Sequence, residues 1–98
     1  MVQINWTDDA KLDLKNIFEF ISKESNYYAE LSIVRIIERV EILQNNPEIG
    51  KVIRELNNPK FREILYNHYR IMYKVISESQ VDILNIFHSS RNFESNFE

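Results

Sequence analysis

Between residues 61 and 88, short runs of β-forming residues are separated by tight polar turns. The runs are Phe61–Tyr66, Tyr69–Ile76 and Val81–His88, and they are rich in Ile, Val, Tyr and Phe. Residues 67–68 separate the first two runs, and residues 77–79 separate the last two. Polar turns of two or three residues between such runs are typical of antiparallel hairpins. This half of the chain therefore predicts a three-stranded β-meander.

The N-terminal half shows a different periodicity. Val2–Trp6 alternates apolar and polar residues, which predicts a short strand. Thr7 or Asp8 is then expected to cap a helix, and a second helix is predicted from about Ser25 to Asn45. Apolar residues recur at helical spacing on one face of each predicted helix. The two stripes are Ala10, Leu14, Ile17, Phe18 and Ile21, and then Ala29, Ile33, Ile36, Ile37, Val40 and Leu43.

The remaining segments complete an α+β fold. Gly50 is the only glycine, and a special backbone angle is expected there. Lys51–Glu55 is predicted as a strand, residues 57–59 as a turn, and Asn92–Glu98 as a short closing helix. The predicted order is a strand, a helical hairpin, and four strands in a mostly antiparallel sheet. Residues 1–98 are expected to form a single domain.

The predicted meander carries charged residues on a face that is also apolar. Strict alternation puts Met72, Ile76, Leu84 and Ile86 on one face, together with Arg70, Lys74 and His88. A face of this kind has two interpretations. It is either half covered by a terminal segment or it is a groove that binds a partner, because a mixed apolar and basic face is a liability for a monomer.

Composition and charge narrow the function classes. The chain has no cysteine, so disulfides and thiolate metal sites are excluded, and a cytoplasmic location is expected. No apolar run approaches the ~18 residues of a membrane span. The net charge is −3, but residues 51–75 hold six basic and two acidic residues, a balance of +4. This basic segment favours a local anion-facing surface, although basic residues also collect on strand edges to prevent aggregation.

Few reaction chemistries are compatible with these residues. His68 and His88 are the only histidines and no metal-ligand spacing occurs, so no metal or cofactor is expected. A cationic set could hold a phosphate and stabilise the charge that develops during RNA cleavage. That set is Arg62, Arg70, Arg91 and His88, and the residues that could act as general acid or base are Glu63, His88 and Tyr69.

The chain resembles a known family in the order of its short motifs. PEIGKVIREL is followed by FREI, HYRIMYKV and VDILNIFHSSR, and together they resemble the RelE/ParE superfamily of type II toxin–antitoxin toxins. The resemblance implies a small growth-inhibiting toxin, bound in a hetero-oligomer by a cognate antitoxin whose C-terminal segment wraps it. The superfamily contains ribosome-dependent mRNA endonucleases (RelE-like) and inhibitors of DNA gyrase (ParE-like, associated with plasmid stabilisation).

Individual residues divide between these two mechanisms. Arg70 matches the arginine that contacts the scissile phosphate in the endonucleases, and His88 and Arg91 match a His-x-x-Arg ending found in both groups. RelE-like enzymes also use lysines on the preceding strand, where this chain has Phe61 and Glu63. The ParE-like mechanism, in which the toxin binds DNA gyrase without enzymatic activity, is therefore preferred. The alternative is an endonuclease that acts on mRNA at the ribosome.

These considerations define a predicted binding surface. The antitoxin is expected to lay a helix or an added strand over a groove near Met72, Leu84 and Ile86. Arg70 is expected to be functional and to lack a structural partner, the alternative being an ion pair across the sheet with Glu63 or Asp82. Trp6, Tyr27 and Tyr28 are interpreted as packing residues. The predicted binding residues are Arg62, Arg70, Met72, Lys74, Leu84, Ile86, His88 and Arg91.

Overall fold

A computed structural model describes residues 1–89 of the chain. The predicted closing helix and Arg91 therefore lie outside the described residues. Five strands form one mixed sheet in the order β1-β5-β4-β3-β2, in which only the β1–β5 pair is parallel. The elements are β1 (Gln3–Trp6), α1 (Asp8–Ser22), α2 (Asn26–Glu41), β2 (Lys51–Val52), β3 (Phe61–Tyr66), β4 (Tyr69–Val75) and β5 (Gln80–His88), with 3-10 turns at Ile42–Gln44 and Arg54–Leu56.

The α+β class and the predicted order of strands and helices are confirmed. Within residues 1–89, no helix has the length and apolar character needed to cross a membrane. The predicted N-cap of the first helix is also confirmed, because the Thr7 side chain accepts a hydrogen bond from the Ala10 amide. Thr7 Oγ donates in turn to the carbonyl oxygen of Ile83 at 2.7 Å, so one side chain fixes the helix start against β5.

The second helix begins and ends close to its predicted limits. The Ser25 side chain accepts a hydrogen bond from the Tyr28 amide, which caps α2. The last turn, Ile42–Gln44, is a 3-10 turn rather than a continuation of the α-helix. The apolar stripe of α2 faces the sheet, and Ala29, Ile36, Val40 and Leu43 are all buried.

The core lies between the two helices and one face of the sheet, which we call the inner face. The opposite face is called the outer face. Ile36 and Leu43 from the helical layer pack with buried residues of the three long strands. Those strand residues are Ile64, Ile71, Tyr73, Val81, Ile83 and Ile86.

A β-bulge in β5 corrects the predicted distribution of residues between the two faces. Met72 lies opposite Asn85, whereas the next residue of β4, Tyr73, lies opposite Ile83, so Leu84 is the extra residue of the bulge. A one-residue insertion reverses the facing of every residue beyond it. Ile86 and His88 consequently lie on the inner face, and the predicted groove shared by Met72, Leu84 and Ile86 is wrong.

Two further predictions near residue 50 are wrong. Gly50 does not have a positive φ, and the left-handed residues of the described chain are Asn57 and Asn67, with φ of 47° and 49°. Glycine is needed at position 50 for space, because a Cβ there would lie 2.5 Å from the Tyr73 hydroxyl oxygen. The predicted strand Lys51–Glu55 contains only the two residues of β2, since the chain turns into a 3-10 turn at Arg54.

Candidate functional site

The outer face of the sheet carries Arg70, and this arginine has a partner. Its Nε donates to Glu63 Oε2 at 2.8 Å, and its Nη2 lies beside the same oxygen. The two side chains are only 21% and 14% exposed, so this is a largely desolvated ion pair. The expectation that Arg70 lacks a structural partner is wrong, and the cross-strand alternative with Glu63 is the arrangement found. A toxic role for Arg70 stays a prediction.

Two other charged residues of the outer face also have partners within the sheet. Lys74 Nζ lies 5.1 Å from the centroid of the Phe61 ring, in a cation–π geometry. Asp82, opposite Lys74 in the register, accepts hydrogen bonds from Asn5 and Gln80 at 3.1 and 2.8 Å. Met72 lies between these charges and is buried. Arg70, Lys74 and Asp82 are therefore all engaged by side chains of the sheet, Arg70 by an opposite charge and the other two by uncharged groups.

A small polar cavity of about 240 Å³ adjoins the Arg70–Glu63 pair. Lys51 and the 3-10 turn residues Arg54 and Glu55 line its other walls. The cavity brings three basic side chains near two acidic ones, so an anion placed there would face compensating carboxylates. This arrangement suits a salt-bridge network better than a phosphate site.

Arg62 lies on the inner face, on the opposite side of the sheet from Arg70. Its Nη1 donates to the carbonyl oxygens of Glu48 and Gly50 at 3.0 and 2.9 Å. The guanidinium thus stabilises the loop that precedes β2, while its Nε is buried without a hydrogen-bond partner among residues 1–89. The predicted cationic set is not brought together, because Arg62 and Arg70 belong to different faces.

Tyr73 stabilises the same loop, a role that the sequence did not predict. Its hydroxyl donates to the Pro47 carbonyl oxygen at 2.8 Å and accepts from the Gly50 amide at 2.9 Å. Burial raises the pKa of Tyr73 above the usual tyrosine value of 10.0, against the opposing effects of the Gly50 hydrogen bond and the Arg62 charge. Together, Tyr73 and Arg62 lock residues 47–50. A glycine directly before a strand was the only sequence signal for this close approach.

His88 lies at the end of β5 on the inner face. Its ring is stacked with that of His68 at 5.9 Å between centroids and contacts the Tyr69 ring edge-on at 5.4 Å. The rings of His88 and Tyr69 border an open cleft of about 540 Å³ between α1 and the end of the sheet. Asp13 from α1 reaches across and accepts a hydrogen bond from the Ile86 amide at 2.8 Å. The cleft is separated by the sheet from the Arg70–Glu63 pair.

The two tyrosines at the start of α2 are exposed rather than packed. Tyr27 and Tyr28 are 69% and 62% exposed, and their rings contact each other edge-on at 5.3 Å. Phe20, near the end of α1, is 70% exposed. The packing interpretation is therefore wrong for both tyrosines, whereas Trp6 does pack against the core. Side-chain exposure at a helix start cannot be read from the residue type alone.

The strand–hairpin–meander architecture defines a small α+β protein with one mixed five-stranded sheet. A family model described as the ParE toxin of the type II toxin–antitoxin system parDE matches residues 4–93. This match spans nearly the whole chain, and the chain belongs to the ParE toxin family. The predicted resemblance to the RelE/ParE superfamily is confirmed.

Solved structures show the same fold. A chain of the chromosomal ParDE toxin–antitoxin system from P. aeruginosa is 22% identical, with a TM-score of 0.74 over 90% of this chain and 96% of that one. A chain of the RelBE2 toxin–antitoxin complex from Mycobacterium tuberculosis is 21% identical, with a TM-score of 0.65 over 89% and 96% of the two chains. A search of curated proteins found no significant match.

Proposed function

We propose that this ParE toxin arrests growth by binding DNA gyrase, without cleaving RNA, and that a cognate antitoxin neutralises it. Family membership supports the toxin role and the similar ParDE and RelBE2 complexes support an antitoxin partner. Gyrase binding is the ParE-like mechanism that the resemblance implies. Action on gyrase places the toxin in the cytoplasm.

The positions of Arg70 and His88 favour a binding mechanism over RNA cleavage. Cleavage of RNA by its own 2′-hydroxyl needs a cation at the phosphate and a general acid or base at the same place. Arg70 is tied to Glu63 on the outer face, while His88 lies in the inner-face cleft. The described part of the chain therefore separates the groups that a nuclease would have to combine.

Glu63 supports the same conclusion. It is the one acid–base candidate beside Arg70, and its Oε2 is occupied by the guanidinium in a largely desolvated pair. With a net charge of −3, the chain also lacks the excess of positive charge that binding to ribosomal RNA favours.

Two assays on the purified toxin and on induced cells test this proposal. The toxin should inhibit supercoiling by gyrase, or trap cleaved DNA, and the product of the neighbouring gene should reverse the effect. Primer extension on total RNA after induction should show intact mRNA on translating ribosomes. Cleavage at fixed codon positions, with gyrase unaffected, would refute the binding mechanism and establish the endonuclease.

A further inference from the structure

The tip of the helical hairpin concentrates the exposed aromatic side chains of the described chain. Among the Phe, Tyr and Trp residues between positions 1 and 89, only Phe20, Tyr27 and Tyr28 are exposed, each by more than 60%. Phe20 lies two residues before the end of α1, and the tyrosines are the second and third residues of α2. Since only residues 23–25 connect the helices, all three lie at one end of the hairpin.

The contacts of these rings within the fold lie at the surface: the rings of Tyr27 and Tyr28 meet edge-on, and Lys23 Nζ lies 5.9 Å from the centroid of the Phe20 ring. The buried residues of the two helices are small or aliphatic, and the caps of α2 use the Ser25 side chain and the Tyr28 backbone rather than an aromatic group. Leaving large rings in water forgoes their burial energy. Tyrosine and other aromatic residues are enriched in the centres of protein interfaces, where a few such anchors supply most of the binding energy.

The aromatic tip continues into the cleft beside α1. Phe20 lines that cleft together with Ile17, Tyr69 and His88. The tip and cleft thus form one surface in which an exposed ridge adjoins a concave wall. Such a shape suits a folded protein partner with an apolar pocket, since the ridge can insert while the partner's rim enters the cleft.

Charge around the tip restricts the chemistry of the partner. Three exposed carboxylates, Glu19, Glu24 and Glu30, surround the aromatic residues against one ammonium group, that of Lys23. A nucleic-acid backbone would be repelled by this balance. A second copy of the chain meeting tip to tip would bring like charges together, because a two-fold interface pairs the same patch with itself. The complementary surface is an apolar protein pocket with a basic rim.

We propose that the hairpin tip, with Phe20, Tyr27 and Tyr28 as anchors, is the surface by which the toxin grips its protein target. This rests on the proposed function, since a toxin that acts by binding needs an exposed anchor. The outer face is a weaker candidate because Arg70, Lys74 and Asp82 are already engaged by side chains of the sheet. The target's contact surface is then an apolar, net-basic protein surface.

The test compares a tip variant with a matched control. The variant carries Phe20→Gln, Tyr27→Gln and Tyr28→Gln, all compatible with a helix. The control carries Leu12→Gln and Val34→Gln, which are 54% and 52% exposed on the same two helices but away from the tip. Melting temperature, sedimentation, antitoxin binding, growth arrest and inhibition of gyrase supercoiling are measured on both and on the unmodified toxin.

The tip variant should have the same melting temperature as the control and should still bind antitoxin. Its concentration for half-inhibition of gyrase should be about tenfold higher or more, because removing interface anchors usually costs that much affinity. Inhibition within about threefold of the unmodified toxin would overturn the inference. The inference would also be overturned if the tip variant lost only antitoxin binding or only self-association, because the tip would then bind another partner. If the unmodified toxin does not inhibit gyrase, the proposed function is wrong. The role of the tip is then tested separately by comparing growth arrest by the tip variant with growth arrest by the control.

Discussion

The lock on residues 47–50 allows a quantitative test of how the fold positions its loop. Tyr73 is fully buried, and its hydroxyl makes one hydrogen bond to the Pro47 carbonyl and one to the Gly50 amide. A Cβ added at position 50 would lie 2.5 Å from that hydroxyl oxygen and 2.7 Å from the backbone oxygen of Glu63. Neither neighbour can move freely, because one is a core side chain and the other is part of β3.

The magnitudes follow from these contacts. Overpacking of a close-packed site costs about 1–3 kcal/mol, so Gly50→Ala should lower the free energy of unfolding by about 2–3 kcal/mol. Tyr73→Phe leaves two backbone groups without their partner, and at about 1 kcal/mol or more for each group it should cost about 2–3 kcal/mol. Either loss is a large fraction of the roughly 5–15 kcal/mol typical of a small domain.

The two changes should not be additive. Tyr73→Phe removes the atom that clashes most closely with a methyl group added at position 50, so Gly50→Ala should cost about 1 kcal/mol less in that background. The clash with the Glu63 backbone oxygen remains and keeps the relief incomplete.

Urea unfolding of both single variants and the double variant measures the coupling. Tyr66→Phe on β3 is a matched control, because Tyr66 is a partly buried tyrosine packed against the same core, and the change should alter stability by less than about 0.5 kcal/mol. Additive losses in the double variant would show that the Tyr73 hydroxyl is not what requires glycine, because the ring carbon Cε1, at 2.7 Å from the added Cβ, is still present in Tyr73→Phe. A neutral Gly50→Ala would show that the close approach does not require glycine at all.

Three further predictions concern single groups. Burial raises the pKa of Tyr73, so the stabilising contribution of the neutral side chain is complete below pH 10. This contribution is lost as the pH rises above 10, where the tyrosine of the unfolded chain ionises. In urea unfolding, the free energy of unfolding of the wild type should therefore fall by up to about 1.4 kcal/mol more per pH unit than that of Tyr73→Phe. Arg70→Ala should cost about 1–3 kcal/mol by stranding the Glu63 carboxylate, and adding Glu63→Gln should restore part of this; a thermal melt unchanged by Arg70→Ala would contradict the ion pair. Asp13→Ala should cost about 1–2 kcal/mol by removing the acceptor of the Ile86 amide, whereas Asp13→Asn, which keeps an acceptor, should cost less in the same denaturation assay.

Local signals in the sequence were sufficient for the elements and their order. The sequence predicts Thr7 or Asp8 as the cap of α1, because a short polar side chain directly before a run with helical periodicity can accept a hydrogen bond from a free backbone amide. Thr7 does so at Ala10. The meander followed from turn length and β-branched composition. These are short-range effects, in which a residue's neighbours along the chain determine its environment.

The positions of the site residues depend on contacts between distant parts of the chain, which the alternation of apolar and polar residues along a strand does not predict. The bulge at Leu84 is a pairing irregularity between β4 and β5, and it moved Ile86 and His88 to the inner face. Gly50 was recognised as special, but the reason was a side chain 23 residues further along the chain, Tyr73. In both cases the missing information was which partner the residue meets across the fold.

Residue 63 shows how one position connects sequence, packing and mechanism. The resemblance places lysines on this strand in RelE-like enzymes, where this chain has Phe61 and Glu63. In the structure, Phe61 lies beneath the Lys74 ammonium group and Glu63 pairs with Arg70, so both departures contact a cation of the adjacent strand β4. A lysine at position 63 would instead stand beside Arg70, raise the positive charge of the outer face and remove the carboxylate that pairs with the guanidinium. The same substitution that weakens the nuclease hypothesis from sequence thus supplies the partner that holds Arg70 in place.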